Sequence, residues 1–129
     1  MRLNPDCIRD ILLVIENATT YTESWDWDFD NFDEPLLNSY SHEEILYHLL
    51  QCKKAGLIDG CEFYFGADAG TVSDLSPYGH QFLADMRSDS VWNNVKTISQ
   101  SIGSNSLQTL MQIASGVITE LIKSQLGFT

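Results

Sequence analysis

One segment of this 129-residue chain alternates aromatic and acidic side chains without interruption. It runs Trp25-Asp26-Trp27-Asp28-Phe29-Asp30. Because successive side chains on a β-strand point to opposite faces, this order places three aromatic rings on one face and three carboxylates on the other. The segment predicts a half-buried strand over residues 25–29 at the edge of a sheet, so the fold has to contain that sheet.

Apolar residues recur at three-to-four spacing on both sides of this segment, which indicates amphipathic helices. Asn4 followed by Pro5 predicts the start of the first helix, because Asn caps free backbone N–H groups and Pro fits the first helical position. Ser41 with Glu44 three positions later predicts the start of a second helix, and Gly56 suits its end.

A hairpin is predicted after the second helix, with strands at residues 61–65 and 71–75 and a glycine-rich turn at residues 66–70. Further helices are predicted to start after Ser76, which precedes a proline, and after Ser106. A Gly-Ser break lies at residues 103–104. The sequence leaves open whether one helix or two lie between Ser76 and this break.

The predicted order of elements is the layout of a winged helix, in which a helix leads into a hairpin. The fold class expected is α+β: a winged-helix-like domain (helix, strand, helix, two-stranded wing) with additional C-terminal helices. The length fits one domain over residues 1–129. Residues 90–129 are expected to form a C-terminal helical extension and to include an element for dimerisation.

Charge is the most unusual property of the composition. Seven Lys and Arg face eighteen Asp and Glu, for a net charge of −11. Ten acidic residues and no Lys or Arg lie between Arg9 and Lys53, and five more lie between Lys54 and Arg87, again with no Lys or Arg. This sign repels phosphate backbones, because DNA affinity comes largely from cations that displace counterions. It suits a basic protein partner, with simple solubility as the alternative.

Three groups of residues contain side chains that are typical of metal or catalytic sites. Asp26, Asp28 and Asp30 are similar to the start of a calcium-binding loop, but its sixth and twelfth positions are Asn31 and Leu37 instead of Gly and Glu. The aromatic residues between the three carboxylates favour a strand instead.

His48 and Cys52 lie four residues apart on a predicted helix, and Cys61 or His80 could complete a zinc site. Their spacing differs from that of zinc signatures, so packing is the better interpretation. Cys61 and His80 could also be a thiol nucleophile and its base, but the sequence contains no oxyanion-hole motif and no orienting acid. We therefore expect free thiols, no metal, no cofactor and no enzymatic activity.

The ends and apolar segments of the chain carry no targeting signal that can be recognised. No run of 18 apolar residues occurs, so no transmembrane helix is expected. The N-terminal residues lack the basic-then-apolar layout of a signal peptide, which makes the cytoplasm the expected location.

Three blocks of the sequence resemble DUF2513, a family of small bacterial and phage proteins of unknown function. They comprise residues 4–13 from Asn4-Pro5-Asp6-Cys7 onward, residues 40–58 with Ser41-His42-Glu43-Glu44 and Ala55-Gly56-Leu57-Ile58, and residues 75–96 from Leu75-Ser76-Pro77-Tyr78-Gly79 onward. The resemblance implies a winged-helix-like fold and a phage or prophage setting. It implies no established activity and assigns no functional residue.

Our first hypothesis is a non-enzymatic adaptor or inhibitor whose acidic surface contacts a basic protein. The residues predicted for that surface are Asp26, Asp28, Asp30, Asp33, Glu34, Glu43 and Glu44. The alternative is a dimeric transcription regulator that binds DNA through Gln51, Lys53 and Lys54, the only helpful groups on the predicted DNA-reading helix.

The last helix has a wide apolar stripe, which predicts either packing on its own domain or pairing with a second copy. The residues predicted for dimerisation are Leu107, Leu110, Met111, Val117, Ile118 and Leu121.

Overall fold

The computed structural model describes residues 1–104 and 106–127, and within them the chain has an α+β fold of five α-helices and five short strands. The elements are α1 (Pro5–Ala18), β1 (Trp25–Asp28), α2 (His42–Lys54), β2 (Ile58–Asp59), β3 (Glu62–Tyr64), β4 (Ala69–Val72), β5 (Asp74–Leu75), α3 (Pro77–Met86), α4 (Asp89–Ile102) and α5 (Leu107–Gln125). Short 3-10 turns follow β1 and β3. No helix in the described ranges is both long enough and apolar enough to cross a bilayer.

The chain divides into two compact units, Met1–His80 and Gln81–Thr129, and the division falls inside α3. The single domain with a 90–129 extension stays a prediction, as does the specific winged-helix arrangement. The order of helix, strand, helix, hairpin and helices is the order that the sequence predicts.

The predicted helix starts are confirmed by side-chain caps. Asn4, Ser41 and Ser106 each accept a hydrogen bond from a backbone N–H of the first helical turn that follows. The sequence left open how many helices lie between Ser76 and the Gly-Ser break. The side chain of Ser88 accepts a hydrogen bond from the backbone N–H of Val91, so a separate helix begins after Ser88. Two helices, α3 and α4, therefore occupy that region.

The strands form a three-stranded antiparallel sheet in the order β1-β4-β3 and a separate antiparallel pair of β2 with β5. The predicted edge position of the aromatic-acidic strand is confirmed, because β1 pairs only with β4 among the described strands. The strand ends one residue earlier than predicted. Phe29 begins a 3-10 turn, because the Asp28 side chain accepts the backbone N–H of Asp30 and bends the chain.

The hairpin of β3 and β4, which is the segment predicted as the wing and is called so below, differs from its prediction in two respects. Its turn is the 3-10 segment Phe65–Ala67, whereas Gly70, predicted as a turn glycine, lies inside β4. The predicted return strand over residues 71–75 is interrupted at Ser73, because β4 pairs with β1 and β3 while β5 pairs with β2.

The inner face of the three-stranded sheet is aromatic. Trp27 and Phe63 are the β1 and β3 partners of Gly70, so the three residues form one row across the sheet. The Trp27 ring covers Gly70 and meets the Phe63 ring edge-on, with 5.5 Å between centroids. It also stacks on Trp25, again at 5.5 Å. The absence of a side chain at residue 70 makes room for this arrangement.

Two helices complete the core of the first unit. Helices α1 and α2 pack against each other, and their buried apolar side chains are Cys7, Ile8, Ile11, Leu12, Val14, Ile15, Ile45, Leu49 and Cys52. Helix α1 therefore buries its predicted stripe, whereas α2 buries only part of its predicted stripe, because Leu46 is half-buried and Leu50 is exposed.

In the second unit, α4 and α5 form a packed pair. Helix α4 buries Val91, Trp92, Val95 and Ser99, whereas only Leu110 and Ala114 are buried among the 19 residues of α5. Most of the apolar stripe of α5 is therefore only partly covered.

We predict that Gly70→Ala destabilises the fold. A Cβ at residue 70 would lie 2.1 Å from a carbon of the Trp27 ring and 2.5 Å from the backbone oxygen of Glu62, so ring or backbone has to move. Overpacking of this kind costs about 1–3 kcal/mol, which urea denaturation followed by tryptophan fluorescence would measure. Gly116→Ala is the control, because its Cβ meets no atom within 4 Å. Alanine there should stabilise α5 by about 0.5–1 kcal/mol, and equal effects of the two substitutions would contradict the packing argument.

Candidate functional site

The outer face of the three-stranded sheet carries the carboxylates. Asp26 is the β1 partner of Thr71, and Glu62 is the β3 partner of the same residue, so the three form a row across the sheet. Asp26 accepts hydrogen bonds from the hydroxyls of Thr71 and of Ser24. Both carboxylates of the row are exposed. The row next to it runs from Asp28 through Ala69 to Tyr64, and its two outer members are also exposed.

The 3-10 turn after β1 lies against the start of α2. The rings of Phe29 and His42 stack in parallel with 4.0 Å between centroids, and the ring of Phe32 meets Phe29 edge-on at 5.2 Å. This aromatic cluster brings the turn that carries Asp30 next to the first helical turn, which carries Glu43. Both side chains belong to exposed residues.

The tip of the wing adds two aromatic side chains to this region. Phe65 is 86% exposed and Tyr64 is 46% exposed. Phe65, Gly66 and Ala67 have consecutive φ angles of 54°, 67° and 75°, all in the left-handed region. The backbone N–H of Phe29 donates to the carbonyl oxygen of Asp68 at 2.9 Å, which ties the wing tip to the turn after β1.

We refer to these exposed groups together as the acidic surface. It comprises Asp26, Asp28, Asp30, Glu43 and Glu62 with the aromatic side chains of Tyr64 and Phe65. Neither the sheet strands β1, β3 and β4 nor the two 3-10 turns contain a lysine or arginine.

The seven predicted acidic residues differ in their exposure to solvent. Asp26, Asp28, Asp30, Asp33 and Glu43 are exposed. Glu34 is half-buried and accepts the indole N–H of Trp25 at 3.0 Å, and Glu44 is half-buried near Asn4, whose amide nitrogen lies 3.4 Å from its carboxylate. These two carboxylates hold the fold together and are less available to a partner.

Sequence reasoning missed three members of the surface, namely Glu62, Tyr64 and Phe65. A signal for the first two was present, because residues 62 and 64 share one face of the predicted strand. Their position beside Asp26 and Asp28 depends on the pairing of β4 with both β1 and β3, which the sequence pattern does not specify.

The three residues of the DNA-binding alternative lie at the carboxyl end of α2. Lys53 is exposed, but its ammonium group lies 5.6 Å from the ring centroid of Phe63. Lys54 is exposed and Gln51 is half-buried. The two lysines at this helix end are outnumbered by the carboxylates on β1 and β3. The local electrostatics therefore oppose phosphate binding.

The histidine considered as a zinc ligand is fully buried and already bonded. The backbone N–H of Asn4 donates to Nε2 of His48 at 2.7 Å, and Nδ1 of His48 lies 2.7 Å from the carbonyl oxygen of Glu44. The first bond requires an unprotonated Nε2, so Nδ1 carries the proton and donates. In the part of the chain that is described, no three His, Cys, Asp or Glu residues are grouped so as to hold a metal ion.

All three thiols are free and buried. Burial raises the pKa of Cys7 from its ordinary 9.0 to about 12, and the charges of Glu44 and Asp10 add to the effect. Burial also raises the pKa of Cys52 and that of Cys61, although the charge of Lys53 opposes the rise at Cys61. The thiol form is therefore favoured at all three sites, which is unsuited to nucleophilic chemistry.

His80, the other member of the thiol-base hypothesis, is exposed and lies 3.6 Å from a carboxylate oxygen of Asp74. That carboxylate also accepts the backbone N–H of Leu75. The pair therefore forms a surface contact beside the short strand β5.

The six residues predicted for dimerisation fall into two groups. Leu110 is fully buried, so in this conformation it is not available to a second chain. Leu107, Met111, Val117 and Ile118 are half-buried, and Leu121 is 45% exposed. Two residues outside the predicted set are more exposed: Ile122 at 53% and Leu126 at 65%.

We predict that the fold loses stability as the pH rises from 9 towards 12. The native state holds the Cys7 proton more tightly than the unfolded chain, because burial raises its pKa to about 12 from 9.0. Burial and a hydrogen bond to Asp10 raise the pKa of Tyr40 as well. The stabilisation is complete below the unfolded pKa and is lost as the pH rises through the folded pKa.

Circular dichroism melts should show Tm falling by about 10 °C between pH 8.5 and pH 11. The Cys7→Ala variant should melt lower at pH 8.5 but lose less on going to pH 11. A Tm that does not change between pH 8.5 and pH 11 would contradict the raised pKa of Cys7 and of Tyr40.

Comparisons with known proteins give a family and a relative. Residues 2–105 match the family described as "Hypothetical protein (DUF2513)". The chain is also 30% identical over 125 residues to an uncharacterised protein of Haemophilus influenzae, an alignment that covers 95% of this chain and 99% of that protein. No solved structure matches. Because the family match spans most of the sequence and the relative is matched along nearly its whole length, the chain belongs to the DUF2513 family.

Proposed function

We propose that this protein is a non-enzymatic adaptor or inhibitor that binds a basic protein through the acidic surface. The observation that carries the proposal is the pairing of β4 with β1 and β3, which places carboxylates from both outer strands on one exposed sheet face. The proposal includes a winged-helix-like architecture, a cytoplasmic location and the phage or prophage setting that the resemblance implies.

The composition of the surface supports a protein partner. Aromatic side chains are the commonest anchors of protein interfaces, and Phe65 and Tyr64 stand exposed at the wing tip. Carboxylates around such anchors attract a cationic partner and increase its association rate, while they disfavour acidic competitors. The acidic surface thus combines an apolar anchor with charges that select the sign of the partner.

The conformation of the wing tip supports an anchoring role for Phe65. A left-handed backbone costs a non-glycine residue roughly 1–2 kcal/mol, and both Phe65 and Ala67 adopt it. A turn whose backbone is held in a defined conformation loses less conformational entropy on binding than a mobile one. The strained turn is consistent with a partner-binding feature at the tip.

Neutralising the sheet face should abolish partner binding. The test variant is Asp26→Asn/Glu62→Gln, and the matched control is Glu23→Gln/Asp59→Asn, which removes the same charge from exposed positions elsewhere. The immobilised proteins are exposed to lysate of the natural host at about 50 mM salt, where electrostatic attraction is strong. A protein retained by the wild type and the control but absent from the test variant supports the proposal. Equal retention by both variants, or no retained protein, contradicts it.

The Phe65→Ala variant should weaken partner binding without changing the stability of the fold. Because the side chain is 86% exposed, its removal should leave Tm within about 2 °C of the wild-type value. Binding to the captured partner should weaken at least about tenfold, the effect of losing an aromatic anchor. Surface plasmon resonance measures the affinity, and Tyr21→Ala serves as the control because Tyr21 is a fully exposed aromatic residue outside the acidic surface. Unchanged affinity in the Phe65 variant would remove this residue from the interface.

Binding to nucleic acid is the outcome that would overturn the proposal. Fluorescence anisotropy of labelled duplexes at about 50 mM salt should show no binding. Salt-sensitive binding that is lost in Lys53→Glu/Lys54→Glu would establish the DNA-binding alternative instead.

A further inference from the structure

Helix α5 extends beyond the helix on which it packs. At 1.5 Å per residue its 19 residues span roughly 28 Å, whereas the 14 residues of α4 span roughly 21 Å. The two helices are joined by a short connection and pack as a pair. Leu121 and Ile122 in the last turns of α5, and Leu126 directly after it, are 45%, 53% and 65% exposed.

A groove continues this apolar segment along the α4–α5 pair. It has a volume of about 540 Å³ and is lined by Ile98 of α4 and by Ile113, Gly116, Val117 and Leu121 of α5, with polar atoms from Asn94 and Glu120 at its margin. A Cβ at residue 116 would meet no atom within 4 Å, so the groove is open along this line.

A second depression of about 260 Å³ lies beside the groove, among Ile118, Leu121, Ile122, Gln125 and Leu126. Leu121 lines both, so the two form one continuous apolar surface, which we call the α5 surface. Large continuous apolar surfaces on soluble domains mark sites of association.

The distribution of charge argues that the occupant is a second copy of this chain. The second unit contains three acidic residues (Asp85, Asp89, Glu120) and three basic ones (Arg87, Lys96, Lys123), so its formal charge is zero. The entire net charge of −11 therefore resides in residues 1–80. Two such chains repel each other through their first units, and the neutral second unit is where they can approach.

The α5 surface is also complementary to itself. Glu120 lines the groove and forms an ion pair at 3.6 Å with Lys123, one helical turn further along α5. In a two-fold dimer, where one residue of the first chain contacts a different residue of the second, the reverse contact forms as well. A surface with one acid and one base can therefore form the Glu120–Lys123 pair twice between the chains. A surface with carboxylates only could not do so.

From these observations we propose that the protein forms a two-fold homodimer in which the α5 helices cross antiparallel, each contacting the α5 surface of the other chain. A helix roughly 28 Å long and about 10 Å wide that lies in a groove buries about half of its lateral surface, roughly 400 Å² per partner. This area is below the roughly 800 Å² per partner of a standard interface. The expected dimer is therefore reversible, with Kd of about 1–10 μM. Helix α5 lies outside residues 2–105, the part of the chain that matches the family.

Sedimentation equilibrium of the full chain between about 1 and 200 μM tests the proposal, with the variant Gly116→Glu and the matched control Ser115→Glu. Both variants add one negative charge to α5, and both sites are exposed. Residue 116 lines the groove, whereas the side chain of residue 115 points in a direction about 100° away around the helix axis. The wild type and the control should dimerise, and Gly116→Glu should raise Kd at least tenfold while its Tm at low concentration stays equal or rises, because glutamate favours helix more than glycine.

Salt provides a second measurement that separates this proposal from the acidic-surface proposal. Two chains of charge −11 repel each other, so raising the salt concentration from about 50 to 500 mM should lower the dimer Kd. Binding of a basic partner to the acidic surface should weaken under the same change. A monomer at 200 μM and 500 mM salt, or equal Kd values for the two glutamate variants, would overturn the dimer and assign the α5 surface to another occupant. Neither result would bear on the acidic surface.

Discussion

The contact between the Trp27 ring and the bare backbone at Gly70 determines how the first unit is built. It places β1 on the free side of β4 and lets the indole reach across to Phe63 on the third strand. The indole N–H has no partner among the described residues, which costs roughly 1–3 kcal/mol for a buried donor. Contacts of the ring with Trp25, Gly70 and Phe63 offset that cost, since burial of a large aromatic side chain is worth a comparable amount or more.

The outer face of the sheet is a consequence of the same register. Once Trp27 lies opposite Gly70, Asp26 lies opposite Thr71, and Glu62 on the far strand completes the row. A shift of one residue would exchange the two faces of β1 and bury the carboxylates. The aromatic side chains therefore fix the fold, and the acidic side chains between them are directed to solvent, where a partner can reach them.

Local patterns were sufficient to predict α1, α2, α5, the start of α3 and most of β1. The caps at Asn4, Ser41 and Ser106 depend on hydrogen bonds within one turn, so a few neighbouring residues determine them. The alternation of aromatic and acidic residues is likewise local. For this reason the sequence predicted four residues of the acidic surface. Asp26, Asp28, Asp30 and Glu43 lie in β1, in the turn that follows it, or in the first turn of α2.

Long-range contacts account for what the sequence did not predict. Phe29, once the bend at Asp28 has taken it out of the strand, stacks on His42, thirteen positions along the chain. Gly70 lies inside a strand, where the Trp27 ring covers its bare backbone. Glu34 and Glu44 became structural because Trp25 and Asn4 offered donors. None of these partners is close enough in sequence to show in a periodic pattern.

The division of charge between the two units has a physical consequence for association. A protein that is acidic throughout can hold a cationic partner but cannot easily hold a copy of itself, because every approach brings like charges together. Here the carboxylates are concentrated around β1, β3 and the start of α2, while the second unit has equal numbers of acidic and basic residues. One surface is thereby suited to a partner of opposite charge and the other to a neutral, apolar contact. The two associations respond to salt in opposite directions, so each can be measured while the other is suppressed.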